Sequence, residues 1–330
     1  MEKDHFEEYE ARENEYKELG KMPTAKLVPF KVEALQTETQ EIPYGVKLHQ
    51  APEIWAQGET GKGVVVAILD TGIDTQHPDL KDRIIGGKNF TNEGRADNFE
   101  DGNGHGTHCA GIVGANGKIK GVAPDCSLLI GKVLDRNGSG GYYSIIEGIK
   151  WATKWRGAKG ERVRIISMSL GGTYNDTKME RAILEACAQG IIVVVASGNE
   201  SEDTGINESF EISYPALYNE CVTVGACDEN RQIANFSNEH LQVDIVGAGV
   251  DVLSTYPSST YARLSGTSMA TPHVAGILAL LINLSESKFR RGLTESEIFA
   301  NLTKICCSLG NRASTEGNGL PELTRFFENC

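Results

Sequence analysis

Four polar side chains sit where apolar segments end or begin, and together they offer the groups needed for acyl transfer. Ala67-Ile68-Leu69-Asp70-Thr71-Gly72 carries a carboxylate from an apolar run into a tight turn. Asn103-Gly104-His105-Gly106-Thr107-His108-Cys109-Ala110-Gly111 sets an imidazole between glycines, which allow close backbone approach at a helix start. Leu264-Ser265-Gly266-Thr267-Ser268-Met269-Ala270-Thr271-Pro272-His273 surrounds a hydroxyl with small residues at the head of an apolar helix, where the dipole and free N–H groups favour a developing anion. Ala196-Ser197-Gly198-Asn199-Glu200 places an amide after another apolar run. Singly, each has an ordinary alternative. Asp70 can be a structural turn carboxylate, His105 a packed core residue or a metal ligand, Ser268 a helix N-cap, and Asn199 a turn residue. His105 and His108, three apart with the single Cys109 beside them and no C-x-x-C pair in the chain, make zinc the weaker reading. As a set, the four supply an orienting acid, a base, a hydroxyl nucleophile and an oxyanion donor.

These groups need strand ends and helix starts to converge. Short β-branched runs at Val64–Leu69, Val163–Ser167, Ile191–Ala196, Val222–Val224 and Val243–Val246 read as strands, alternating with helical patterns near Tyr142–Trp155, Met179–Gln189 and Thr267–Leu284. This alternation predicts an α/β fold, a mostly parallel central sheet with helices on both faces, whose ligands sit at the carboxyl ends of the strands. The candidate residues follow strand ends, as that rule requires.

The 330 residues suffice for one full core plus an appendage, and 45 acidic against 32 basic residues give a net charge of −13. Such a charge repels phosphate backbones and anionic bilayers, so neither nucleic acid nor a membrane is an expected partner. Met1-Glu2-Lys3-Asp4-His5-Phe6 lacks a secretory leader's basic and apolar regions, and no later apolar run is expected to reach membrane-spanning length. The eight cysteines read as reduced thiols, with Cys306-Cys307 placed in a helix. Residues 1–20 hold eight acidic and three basic side chains, a solvated helix or disordered arm. Lys21–Gly45, punctuated by Pro23, Pro29 and Pro43, reads as extended chain on a surface. The expected division is an N-terminal extension over 1–45, a main domain over 46–310 and a C-terminal tail over 311–330.

The chain order Asp, His, Ser differs from the His, Asp, Ser of the chymotrypsin class and the Ser, acid, His of α/β-hydrolases. Through Asp70-Thr71-Gly72, His105-Gly106-Thr107-His108 and Gly266-Thr267-Ser268-Met269-Ala270 the chain resembles the subtilases, over roughly residues 46–285. The resemblance implies the subtilisin-like three-layer fold and a serine endopeptidase acting on proteins and peptides. In it Ser268 attacks, His105 moves the proton, Asp70 orients His105, and Asn199 with the Ser268 N–H holds the oxyanion. Losing one such donor costs about 10²–10³ in kcat, a magnitude established on this family itself. It also implies a peptide-pairing edge along Ser169-Leu170-Gly171-Gly172. The first specificity pocket would be walled by Ser169, Leu170 and Gly171 on one side and Ala196, Ser197 and Gly198 on the other, with Ser213 near its floor. Such a mostly apolar pocket suits a large apolar or aromatic side chain.

Further features resemble the bacterial intracellular subtilisins: Leu27-Val28-Pro29-Phe30, Trp155-Arg156-Gly157-Ala158-Lys159-Gly160-Glu161 and Gly317-Asn318-Gly319. That resemblance implies a cytoplasmic precursor whose residues 27–30 lie across the active site until a cut after Phe30 and before Val46, and a homodimer. Pro29, with a fixed φ and no N–H, would interrupt substrate-like pairing. Structural calcium is implied at two places. One is Asp79, although the loop Ala115–Gly121 is short and carries two lysines; the other combines Asp244 with the carbonyls of Ala216, Tyr218 and Cys221. Cys109, one helical turn after His105, is expected to be a small packed residue with some sensitivity to thiol reagents. Two rivals remain: a subtilase scaffold that binds without turnover, and a hydrolase acting on esters. Turnover of a protein against a small ester separates them.

Overall fold

A computed structural model describes residues 23–36, 41–201 and 211–328. The chain begins with β1 (Thr24–Leu27), β2 (Lys31–Gln36), α1 (Tyr44–Leu48) and α2 (Ala51–Trp55), then β3 (Val65–Asp70), β4 (Ile84–Asn89), α3 (His105–Gly114), β5 (Ser127–Lys132) and β6 (Ser139–Gly141). It continues through α4 (Tyr142–Lys154), β7 (Val163–Met168), β8 (Leu170–Gly171), α5 (Thr177–Ala188), β9 (Ile192–Ala196), β10 (Cys221–Cys227) and β11 (Val243–Ala248). Next come β12 (Val252–Tyr256), β13 (Thr260–Ser265), α6 (Thr267–Phe289), α7 (Glu295–Lys304), β14 (Cys306–Cys307), α8 (Ala313–Glu316), β15 (Leu320–Pro321) and α9 (Arg325–Glu328).

Seven strands form the central sheet in the order β11-β10-β9-β7-β3-β5-β4, each parallel to its neighbours. Because strand side chains alternate in direction, β3 serves two cores. Val66 and Ile68 join α3 and α6 on one face, while Val65, Ala67 and Leu69 join α4 and α5 on the other. The expected parallel sheet with helices on both faces is therefore what forms, and all five expected strands lie in it. β4 and β5 also belong to the sheet and were not expected.

Helix α6 corrects one expectation. It is long and apolar enough to cross a membrane, but 94% of its most apolar window is buried inside the fold, so it is the core's central helix. A second correction concerns Cys306-Cys307, which pair antiparallel with Leu320-Pro321 instead of forming helix. Thr294 and Glu297 start α7 with a capping box, and the Ile305 N–H closes its end on the Leu302 and Thr303 carbonyls. The next two residues are then free to pair with β15. That pairing ties the end of the chain in, and Leu320 and Leu323 are fully buried.

Of the proline-punctuated segment, β1 and β2 are extended strands on the main fold, and Pro43 is the N-cap of α1. Ala25 and Val28 are buried. The acidic residues 1–20 lie outside the described residues. No disulfide forms among the described cysteines.

Candidate active site

Asp70 ends β3 and His105 opens α3, two elements that pack against each other through the core. The His105 Nδ1 lies 2.9 Å from Asp70 Oδ1 and 3.0 Å from Oδ2, and both side chains are fully buried. Their approach needs a glycine at 106, because a Cβ there would lie 2.2 Å from the Gly72 carbonyl oxygen. Burial alone disfavours a charge on His105, but the Asp70 carboxylate outweighs it and holds the imidazole pKa well above the usual value. Cys109 Sγ lies 3.7 Å from His105 Nδ1, and burial pushes its thiol pKa up.

A half-buried carboxylate that the sequence did not single out fastens these two elements together. Asp101 Oδ1 accepts from the Thr71 hydroxyl at 2.9 Å, the Asn103 N–H at 2.9 Å and the Gly104 N–H at 2.8 Å. Its Oδ2 accepts from the Thr107 N–H at 2.9 Å and the Thr107 hydroxyl at 2.6 Å. The Thr71 hydroxyl in turn accepts from the Gly106 N–H at 3.0 Å. Asp101 thus links the turn after Asp70 to the first turn of the His105 helix. The buried Lys132 adds a bond from Nζ to the Thr71 carbonyl at 2.7 Å. His108, by contrast, has Nε2 3.1 Å and 3.0 Å from the carbonyls of Val252 and Ala262, and burial lowers its pKa to about 3. It is a packed core imidazole.

Ser268 lies in the first turn of α6, buried, with its hydroxyl directed at the Ser169 carbonyl at 3.4 Å. His105 Nε2 has no hydrogen-bond partner among the described residues. Asn199 follows β9, and its Oδ1 accepts from the Thr267 N–H at 2.8 Å, which turns its Nδ2 outward. That Nδ2 donates to the carbonyl of Pro29. The ring of Phe30 stands 4.9 Å from the His105 ring.

The segment before Pro29 fills a slot between two strand edges. β1 pairs antiparallel with β6 on one side and β8 on the other, with Lys26 opposite Gly171 and Leu27 opposite Leu170. The Leu27 N–H donates to the Gly138 carbonyl at 2.8 Å. Strand pairing stops at Leu27, two residues before the proline, which has no N–H to offer. Leu170 and Gly171 form one wall of this slot as β8, with Ser169 directly before them, and Ala196 ends β9, with Ser197 and Gly198 leading from it to Asn199. A Cβ on Gly171 would lie 2.5 Å from the Ser213 hydroxyl, which places Ser213 beside Gly171. Leu170 packs its side chain into the core, and Ala196 is fully buried.

The two expected calcium positions differ in their donors. Asp79 Oδ1 accepts from the Lys118 N–H at 3.1 Å, and Oδ2 lies 3.0 Å from the Ile119 N–H and 3.1 Å from the Tyr261 hydroxyl. Two backbone N–H groups aimed at a carboxylate satisfy it and oppose a cation, so Asp79 does not fit calcium. Asp244 differs: Oδ2 accepts from the Thr223 N–H at 2.8 Å, no ion pair forms among the described residues, and burial raises its pKa to about 6. The Thr223 hydroxyl donates to the Ala216 carbonyl at 2.8 Å, so Thr223 links that carbonyl to the carboxylate its own N–H meets. A half-buried carboxylate with no cationic partner among the described residues has the donor chemistry that suits a hard cation.

The family model described as the subtilase family matches residues 61–316. The chain is 48% identical over 314 residues to an "Intracellular serine protease" of Paenibacillus polymyxa, covering 92% of this chain and 93% of that one. It is 46% identical over 305 residues to a "Major intracellular serine protease" of Bacillus subtilis, covering 91% and 93%. It is 44% identical over 264 residues to "Subtilisin DY" of Bacillus licheniformis, covering 78% and 92%.

Proposed function

The chain belongs to the subtilase family of serine proteases, and on that premise we propose that Asp70, His105 and Ser268 are its triad and that residues 27–30 keep its precursor quiet. Ser268 Oγ attacks the carbonyl carbon of a peptide bond while His105 Nε2 takes its proton. Asp70 holds His105 Nδ1–H and stabilises the imidazolium. The oxyanion accepts from Asn199 Nδ2 and the Ser268 N–H. His105 then protonates the leaving amine, the C–N bond breaks, and an acyl-enzyme remains on Ser268. Water repeats the sequence, with its proton passing to His105, and frees the carboxylic acid.

One observation carries this reading: the Asn199 amide is bonded to a peptide carbonyl beside the Asp70–His105 pair, as an oxyanion donor would be. That carbonyl is Pro29's, which supports the lock. The primed-side continuation β2 is held by β13, and Arg263 meets Glu41 at 3.1 Å. A peptide's P1 side chain would lie between Ser169–Gly171 and Ala196–Gly198, with Ser213, which lies beside Gly171, near the pocket floor. Calcium would be held by Asp244 and the carbonyls of Ala216, Tyr218 and Cys221, where it supplies charge neutralisation and stability. Cytoplasmic location rests on the relatives' names, and the homodimer on the family resemblance; sedimentation at several concentrations tests the latter.

A peptidyl phosphonate that traps serine nucleophiles tests the triad. Its adduct should map to Ser268 by mass spectrometry and disappear with His105→Ala. An adduct elsewhere, or none in the processed enzyme, removes the assignment.

A further inference from the structure

Asn199 is half-buried at the mouth of the cleft, and its Nδ2 can serve a transition state only if its backbone is fixed. Behind it sits Asn238, fully buried, on the loop between β10 and β11. The Asn238 N–H donates to the Gly198 carbonyl at 3.1 Å. Its Oδ1 accepts from the Glu200 N–H at 2.7 Å, and its Nδ2 donates to Glu200 Oε2 at 2.8 Å. The same Oε2 accepts the Asn199 N–H at 2.9 Å. Asn238 therefore grips the peptide groups on both sides of Asn199 and orients the carboxylate that holds Asn199's own N–H.

This grip depends on the glycine before Asn199. Gly198 has φ +116°, and a Cβ there would lie 2.0 Å from Asn238 Nδ2, so only glycine admits the amide. The two ends of the bracket reach the substrate side through one residue: Thr267 N–H fixes the Asn199 side chain, and Asn238 fixes its backbone. None of these contacts involves Thr24–Leu27, which fill the slot.

We propose that Asn238 is a positioning residue of the oxyanion site, aligning Asn199 through Gly198 and Glu200. The proposal rests on Asn199 being the oxyanion donor, as argued above. A donor displaced by a fraction of its bond length loses most of its preference for the transition state, while ground-state substrate binding, made elsewhere in the cleft, stays.

The test is a kinetic cycle on a peptide amide, using active enzyme recovered from the full chain, with Asn199→Ala, Asn238→Ala and the double variant. The proposal expects Asn238→Ala to lower kcat about ten-fold with KM within roughly two-fold, and to lower it hardly further when Asn199 is already alanine. An equal kcat loss in both backgrounds, or unchanged kcat in Asn238→Ala, overturns it. If Asn199→Ala itself leaves kcat unchanged, the oxyanion assignment falls first; if Asn199→Ala lowers kcat and Asn238→Ala does not, only the positioning role falls. Should Asn238→Ala fold poorly, Glu200→Ala removes the shared acceptor from an exposed side chain and is expected to give the same kcat-only pattern, weaker, again absent when Asn199 is alanine. A KM-only effect in Glu200→Ala counts against the proposal.

Discussion

Phe30 covers His105: the two ring centroids are 4.9 Å apart with their planes inclined by 48°. The ring occupies space beside the imidazole that takes the Ser268 proton in the proposed triad, and it does so next to a carbonyl held by Asn199. Half-burying such a side chain contributes about 1–2 kcal/mol. Phe30→Ala should therefore raise the open fraction of the full chain about ten-fold and shorten the lag before casein hydrolysis. An unchanged lag would assign the closure to β1 and β2 alone.

Asp101 fixes the geometry of Asp70 and His105 from behind. Burial opposes its charge, and the N–H groups of Gly104, Asn103 and Thr107 with the Thr107 hydroxyl outweigh that, holding its pKa below the usual 3.8. A lowered carboxylate contributes stability that is present above the unfolded value and lost as pH falls through the folded one. Asp101→Asn turns an acceptor into a donor facing donors, which should cost about 1–3 kcal/mol of stability and lower kcat more than it raises KM. Denaturant melts between pH 2 and 5 should show a shallower acid loss in the variant. Identical acid slopes would mean that other carboxylates set it.

His105 carries the opposite sign. Its pKa is raised above 6.5, so the stabilisation from its pairing with Asp70 is complete below 6.5 and fades as pH climbs through the folded value. In the proposed triad the neutral ring is the base, so activity should rise with pH on the alkaline side of 6.5. In the full chain carrying Ser268→Ala, NMR titration of the His105 imidazole should report a midpoint above 6.5, falling below it with Asp70→Asn, where burial acts alone. A midpoint below 6.5 in both proteins would contradict the pairing.

Much of this site is legible in the sequence, for a local reason. Asp70, His105 and Ser268 each stand where an apolar run meets small residues, and that boundary is visible within a few positions of each residue. Asp101 was not legible, because Asp101-Gly102-Asn103 reads as an ordinary turn until Thr71 and Thr107 are brought to it by folding. Asn238 is hidden similarly: its bonds to Gly198 and Glu200 cross the intervening strand β10. Cys306-Cys307 was read as helix because nothing near it in sequence announces its partner, Leu320-Pro321. Asp79 looked like a cation ligand until the backbone of Lys118 and Ile119 closed on it.

The proposed calcium position at Asp244 carries a pH dependence. Burial raises its pKa from 3.8 to about 6, so the folded chain holds that proton longer than the unfolded one, and stability falls as pH rises from 3.8 toward 6. A bound cation would reverse this by favouring the ionised form. Added calcium should therefore raise the melting midpoint at pH 8 and much less at pH 5, with chelator abolishing the difference and Asp244→Asn removing most of it. A calcium-independent midpoint at pH 8 would remove the metal from the account.

The central claim is tested most directly by casein hydrolysis with three chains: the full chain, a chain beginning at Glu41 that keeps α1, and that shorter chain with Ser268→Ala. The account expects a lag or little activity in the full chain, immediate activity in the shorter one, and none with Ser268→Ala. Activity surviving Ser268→Ala would contradict the triad, and equal initial rates in the first two chains would contradict the lock.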